Sequence, residues 1–232
     1  MIATIINAVA IILGSLFGIL LKKKLNARYE ATVFTATGII ALVIGIQMAL
    51  KATHVLAFAL ALIIGGLVGT LLDIEGGFLR IGERLKKRFA AKDEGSTFAY
   101  GFLDASVLFC AGAMAIVGSF KAGTEGDYSL LLTKSVMDGF ISVLFASAMG
   151  VGVAFSALSV LVYQGLLTIL SVWVAPFVSE TMLAELTGVG GALVIMIGIN
   201  LLGLKKLKTA DFIPGLLVTI LLVLAFPYVP FL

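Results

Sequence analysis

The chain opens on IATIINAVAIILGSLFGILL, residues Ile2–Leu21, and Lys22-Lys23-Lys24 follow it at once. A helix that crosses the hydrocarbon of a bilayer needs about 20 mostly apolar residues. This run has that length and holds no charge. A cleaved signal peptide carries its positive charge before the apolar core. Here the order is reversed, which predicts a retained spanning helix with its N-terminus outside. Composition carries the reading to the whole chain. Of 232 residues, 61% are hydrophobic and 12% charged, where a soluble domain has about 25% charged. Mean hydropathy is +1.18. These values exclude a soluble enzyme, a disordered chain and a nucleic-acid-binding domain. The fold class they predict is an all-α polytopic membrane protein. One cysteine, Cys110, and one histidine, His54, leave no internal disulfide framework and no usual zinc or copper site. No cofactor or metal is expected.

Apolar runs of spanning length place eight helices in one transmembrane domain, at about 2–21, 32–50, 55–72, 98–120, 130–149, 154–175, 183–204 and 212–229. The seventh and eighth are separated by a short basic loop, and Asp211 reads as the N-cap of the eighth. Between the third and fourth, residues 75–92 place Phe78, Ile81, Leu85 and Phe89 at helical spacing, with Arg80, Arg84, Lys87 and Arg88 around them. That pattern predicts an amphipathic helix lying in the cytoplasmic interface against anionic lipid.

Lys and Arg set the orientation. Lys22, Lys23, Lys24 and Arg28 follow the first span. Arg80, Arg84, Lys86, Lys87, Arg88 and Lys92 follow the third, and Lys205, Lys206 and Lys208 follow the seventh. Only Lys51, Lys121 and Lys134 fall elsewhere. With eight spans these three basic segments share one side, so both termini are expected outside.

An internal repeat is visible. The second span reads GIIALVIGIQMAL, Gly38–Leu50, and the seventh reads GALVIMIGINLLGL, Gly191–Leu204. Aligned, Gly38 meets Gly191, Gly45 meets Gly198 and Gln47 meets Asn200. A weaker match sets Asn7-Ala8 of the first span against Gln164-Gly165 of the sixth. The third and eighth correspond by position alone. Spans 1–3 therefore read as an inverted copy of spans 6–8, a recurring plan of secondary transporters; chance similarity of Gly- and Ile-rich helices is the plainer account.

Ionisable groups inside a membrane are functional candidates. Asp138 lies well within the fifth span, and Lys134 stands one turn before it. Ser135 lies beside them. Asp138 could bind a proton or small cation, or form a structural pair with Lys134. The amides Asn7, Gln47, Gln164 and Asn200 could line a central polar site with it, or simply hydrogen-bond between helices. In the fourth span, FCAGAMAIVGS at Phe109–Ser119 reads as a small-residue packing face. Its alternative is a broken helix whose backbone, with Gly112 and Ser119, meets solute. Asp104 is expected to snorkel to the interface, and Glu185 to be a helix-end residue. Gly14 and Gly18, and Gly65 and Gly69, suit close helix contacts or dimerisation.

LFCAGAMAIVGS at Leu108–Ser119, with Lys134-Ser135, Asp138-Gly139, Gly150-Val151-Gly152-Val153 and Tyr163-Gln164-Gly165, resembles the YdfK/YqgA-like family of bacterial inner-membrane proteins, a domain of unknown function. The resemblance covers nearly the whole chain. It implies the bacterial inner membrane as location and favours Lys134, Asp138 and Gln164 as shared features. Asp104 stands where the family pattern is usually uncharged.

The expected function is a secondary transporter or ion-conducting protein for a small solute or cation, coupled through Asp138. The alternative is a non-transporting scaffold or sensor. An intramembrane enzyme is not expected: His54 reads as an outer-loop residue, and Asp104 and Asp138 lie in no supporting motif. A homodimer is the expected assembly, membrane lipid the expected surround, and nucleic acid no partner.

Overall fold

The computed structural model describes residues 1–22, 27–89, 97–110, 112–174 and 178–226. Lys23, Lys24 and Lys92, part of the expected charge bias, lie outside these residues, as does the end of the expected eighth span. Among the described residues every regular element is helical. The α-helices are α1 (Ile2–Lys22), α2 (Ala27–Ala49), α3 (Val55–Leu71), α4 (Ile74–Phe89), α5 (Thr97–Cys110), α6 (Ala113–Thr124), α7 (Ser129–Met149), α8 (Gly152–Val174), α9 (Glu180–Leu201) and α10 (Pro214–Ala225). A 3-10 turn, Thr209–Phe212, precedes α10.

Helices α1, α2, α7, α8 and α9 are long and apolar enough to cross a bilayer on their own. Two further crossings arise if each bent pair is one span, giving up to seven. The expected eighth span is shorter than spanning length among the described residues, because Pro214 starts α10 only after the 3-10 turn. The expected fourth span is not one rod. α5 and α6 meet at a 60° bend, and α3 and α4 at 58°. No proline causes the first break; Gly112, with no atom within 4 Å of where its Cβ would stand, lies in it. At the second, Asp73 adopts φ 49°, a left-handed conformation that Asp tolerates better than most residues.

Burial on α1 is the reverse of a water-soluble helix. Thr4, Asn7, Ile11, Ser15 and Gly18 form the buried stripe at three- and four-residue spacing. Ile5, Ile6, Val9, Leu13, Leu16, Phe17 and Leu20 face outward. Lipid solvates the apolar side chains, so the inward face is left to small and polar groups.

The chain divides into two compact units. The first comprises Met1–Thr37, Phe78–Cys110 and Met114–Phe177; the second comprises Gly38–Gly77, Ala111–Ala113 and Val178–Leu232. In the first, α1 lies along α7 and α8, and α5 packs on α8. Gly14 and Gly18 make the α1–α7 crossing: a Cβ on Gly14 would stand 2.1 Å from the Gly139 carbonyl oxygen, and one on Gly18 2.3 Å from that of Val143. α7 ends at Gly150, φ 82°, so that α8 begins two residues later. Lys22 donates to the Ala148 carbonyl oxygen at 3.0 Å, tying the end of α1 to that turn.

In the second unit, α3 packs on α10 through Gly65, whose Cβ would fall 2.3 Å from the Gly215 backbone. α2 lies antiparallel to α9. A Cβ on Gly191 would reach Ala49 N at 2.3 Å, and one on Gly38 would reach Leu202 Cγ at 2.8 Å. A Cβ on Gly45 would reach Ile195 N at 2.7 Å, and one on Gly198 would reach Leu42 Cγ at 2.8 Å. These contacts are reciprocal. The register that sets Gly38 against Gly191 also sets Leu42 against Ile195, Gly45 against Gly198 and Ala49 against Leu202. Exchanging each residue for its counterpart turns the first contact into the second, and the third into the fourth.

Candidate functional site

Three helices of the first unit bring four polar side chains to one buried point. Asn7 comes from the inward stripe of α1, Lys134 and Asp138 from one face of α7, and Gln164 from α8. Lys134 and Asp138 are four residues apart, so the helix itself sets them side by side. Lys134 Nζ donates to Asp138 Oδ2. Asn7 Nδ2 donates to the same oxygen at 3.0 Å and to Gln164 Oε1 at 3.3 Å. Asn7 and Gln164 are fully buried, and Lys134 and Asp138 are each 5% exposed. Lys134 Nζ also stands 5.9 Å from the centroid of the Phe109 ring, a distance at which the ring face attracts a cation.

This geometry fixes the orientation of both amides. A carboxylate only accepts hydrogen bonds, so the Asn7 atom at Asp138 is the nitrogen. The Gln164 atom facing that nitrogen is then its oxygen. Two buried atoms are left over: Asn7 Oδ1, an acceptor, and Gln164 Nε2, a donor, find no partner among the described residues. A buried polar atom without a partner costs about 1–3 kcal/mol, so each such atom calls for an explanation, a bound water, ion or ligand among them.

The other expected site residues make no hydrogen bond to these four side chains among the described residues. Ser135 is buried, but its hydroxyl donates to the Leu131 carbonyl oxygen of its own helix at 2.7 Å. Ser119 on α6 is buried with its hydroxyl unpartnered among the described residues. Gly112 belongs to the second unit, as do Gln47 and Asn200. Gln47 is exposed. Asn200 closes a loop: its Nδ2 donates to the Leu207 carbonyl oxygen at 2.9 Å, and its Oδ1 accepts from Leu207 N at 2.7 Å. Asn200 thus commits its amide to the backbone after α9.

Three acidic residues also differ from expectation. Asp104 does not snorkel; it is 3% exposed, because Phe102, Leu103, Ala105 and Ser106 around it on α5 are buried as well. Asp211 does not cap its own helix. Its Oδ1 accepts from Glu75 N at 2.8 Å, while Glu75 Oε2 accepts from Ala210 N at 3.1 Å, so each carboxylate caps the other's segment. Glu185 lies inside α9 rather than at its end, fully buried. Its Oε1 accepts from the backbone N–H of Thr53 at 2.8 Å and of His54 at 3.0 Å, and from the Thr53 hydroxyl at 2.9 Å; His54 Nδ1 lies at 3.1 Å. This clamp holds the loop before α3 to α9. The one sequence signal for it was an acid within an otherwise apolar span. Outside the spans, the backbone N–H of Ser129 donates to Asp127 at 2.9 Å and holds its carboxyl below the usual aspartate range. Among the described residues, no three His, Cys, Asp or Glu side chains gather as a metal site.

Apolar outward faces, helices of spanning length and a buried charged centre define a polytopic α-helical membrane protein. Residues 2–224 match the family described as "Protein of unknown function (DUF554)", and the chain belongs to that family. It is 33% identical over 222 residues to "Uncharacterized membrane protein YdfK" of Bacillus subtilis (strain 168), covering 94% of this chain and 93% of that protein. It is 30% identical over 215 residues to "Uncharacterized protein YqgA" of Escherichia coli (strain K12), covering 91% and 92%. No solved structure matches.

Proposed function

We propose that this protein is a secondary transporter of the bacterial inner membrane, working through the α1–α7–α8 centre, with Asp138 as the group a proton or small cation engages. The carrying observation is the convergence of Asn7, Lys134, Asp138 and Gln164 on one buried point with two amide atoms unmatched. An acceptor and a donor left unpaired beside a buried ion pair are what a site for a polar ligand requires. On this reading Lys134 holds Asp138 until the coupling ion takes its place.

The expected inverted repeat, if the helices obey it, gives the same reading a structural basis. Each expected pair of counterparts packs together: α1 with α8, α2 with α9 and α3 with α10. The reciprocal contacts of α2 and α9 are those a two-fold axis in the membrane plane would produce. Such symmetry gives one chain two nearly equivalent states that open to opposite sides. Eight crossings follow if α3 spans alone, α4 lies in the interface and α10 completes a short final span. The basic segments then share the cytoplasmic side, both termini lie outside, and the chain acts as a homodimer without enzymatic activity.

The test is flux into proteoliposomes under an imposed pH or cation gradient. Wild-type protein carries flux above empty vesicles, and Asp138→Asn abolishes it while the circular dichroism spectrum and elution profile hold. Equal flux in Asp138→Asn removes Asp138 from the mechanism, and no flux under any gradient removes transport.

A further inference from the structure

Asn7 and Gln164 carry information about the cargo that the ion pair does not. Lys134 and Asp138 cancel each other, so the centre has no surplus charge. A cargo with net charge would bring an uncompensated charge out of water, at a cost of several kcal/mol that the paired centre does not offset. The buried atoms of the two amides that lack a partner are neutral and opposite in polarity: Asn7 Oδ1 accepts and Gln164 Nε2 donates. Their polarity does not drift, because Asn7 Nδ2 is held by Asp138 at 3.0 Å and Gln164 Oε1 is held by Asn7 at 3.3 Å.

From this the geometry points to a small polar solute without net charge as the cargo, read by Asn7 Oδ1 and Gln164 Nε2 as a paired acceptor and donor. The solute offers a hydrogen to Asn7 and an oxygen to Gln164, as an amide or a compact zwitterion does. The inference rests on the α1–α7–α8 centre being a solute site, as proposed above. The coupling ion and the cargo then occupy different atoms: the ion competes with Lys134 at Asp138, and the solute pairs with the two amides.

The test measures thermal unfolding of the full chain in detergent against rising concentrations of four probes. Acetamide and L-alanine carry no net charge; sodium acetate and ammonium chloride are the charged controls at matched ionic strength. A ligand of the folded state raises the midpoint with the logarithm of its concentration. Acetamide or L-alanine is expected to raise it and the charged controls are not. Gln164→Glu, which keeps the shape and turns the free donor into an acceptor, loses the shift. Gln164→Met loses the shift with little change in the unliganded midpoint, because removal of a buried unpaired donor offsets loss of the 3.3 Å bond from Asn7, whose Nδ2 keeps Asp138 as acceptor.

A response to the charged probes alone overturns the inference, as does a flat response of the wild type to all four. So does Gln164→Met that unfolds earlier while its probe response is unchanged, which makes Gln164 a structural residue. Failure here is separable from failure of the transport reading. Flux in vesicles with no response to the uncharged probes keeps transport and discards this cargo class. A response without flux discards transport and keeps the recognition pair.

Discussion

Lys134→Met isolates the charge balance of the centre. Lys134 and Asp138 are each 5% exposed, so neither has bulk water to fall back on. Without Lys134, Asp138 retains the Asn7 amide at 3.0 Å as its remaining named partner. Removing one partner of a buried ion pair costs about 3–5 kcal/mol, whereas replacing both by apolar groups of similar volume is neutral or stabilising by about 1–4 kcal/mol. For a chain of this size each kcal/mol shifts the unfolding midpoint by about 2–4 °C. Lys134→Met and Asp138→Leu are therefore each expected to lower the midpoint by about 6–20 °C. The double variant should return to the wild-type value or above it, and carry no flux. The assay is thermal unfolding in detergent of all four proteins, with flux measured in parallel. Single effects that add to within about 0.5 kcal/mol would mean that the two charges do not interact. The reasoning about the centre would then be wrong.

Gly14→Leu should prevent α1 from seating on α7, since even a Cβ there stands 2.1 Å from the Gly139 carbonyl oxygen; at least about 1–3 kcal/mol of stability is lost, read as a lower midpoint. Glu185→Ala leaves the Thr53 and His54 N–H groups without their acceptor and should cost about 1–3 kcal/mol, with faster amide exchange at Thr53 and His54 as the local sign. Asp127 should titrate below the ordinary aspartate range in a carboxyl-carbon NMR titration. Its folded pKa is depressed, so its small stabilisation is present above the unfolded value and lost as pH falls through the folded one. Asp127→Asn should remove that pH dependence.

Helix existence was legible because the bilayer demands one pattern, a long apolar run, and the chain repeats it. Where helices break was less so. The α5–α6 bend has no proline and no charge to announce it, only Gly112 among other small residues. The centre itself was half legible. Asp138 and Lys134 stand out as charges in an apolar run, and the sequence similarity of the first and sixth expected spans sets Asn7 against Gln164. Gln47 and Asn200 match each other better in sequence than Asn7 and Gln164 do, yet Asn200 serves a loop that closes seven residues later at Leu207. Such a role depends on where the backbone turns back, which periodicity does not report. Glu185 was underread for a related reason: its donors come from residues more than a hundred positions away.

The turn at Gly150 bears on how the protein is made. Only Gly150 and Val151 separate α7 from α8, so the two are neighbours in synthesis as in sequence. An unpaired Asp or Lys near the middle of an inserting helix costs about 2.5–3.5 kcal/mol. Lys134 and Asp138 sit one turn apart on the same helix and neutralise each other without waiting for α1 or α8 to pack against it. α7 thus carries its own counter-charge, which lowers the cost of placing Asp138 in the hydrocarbon.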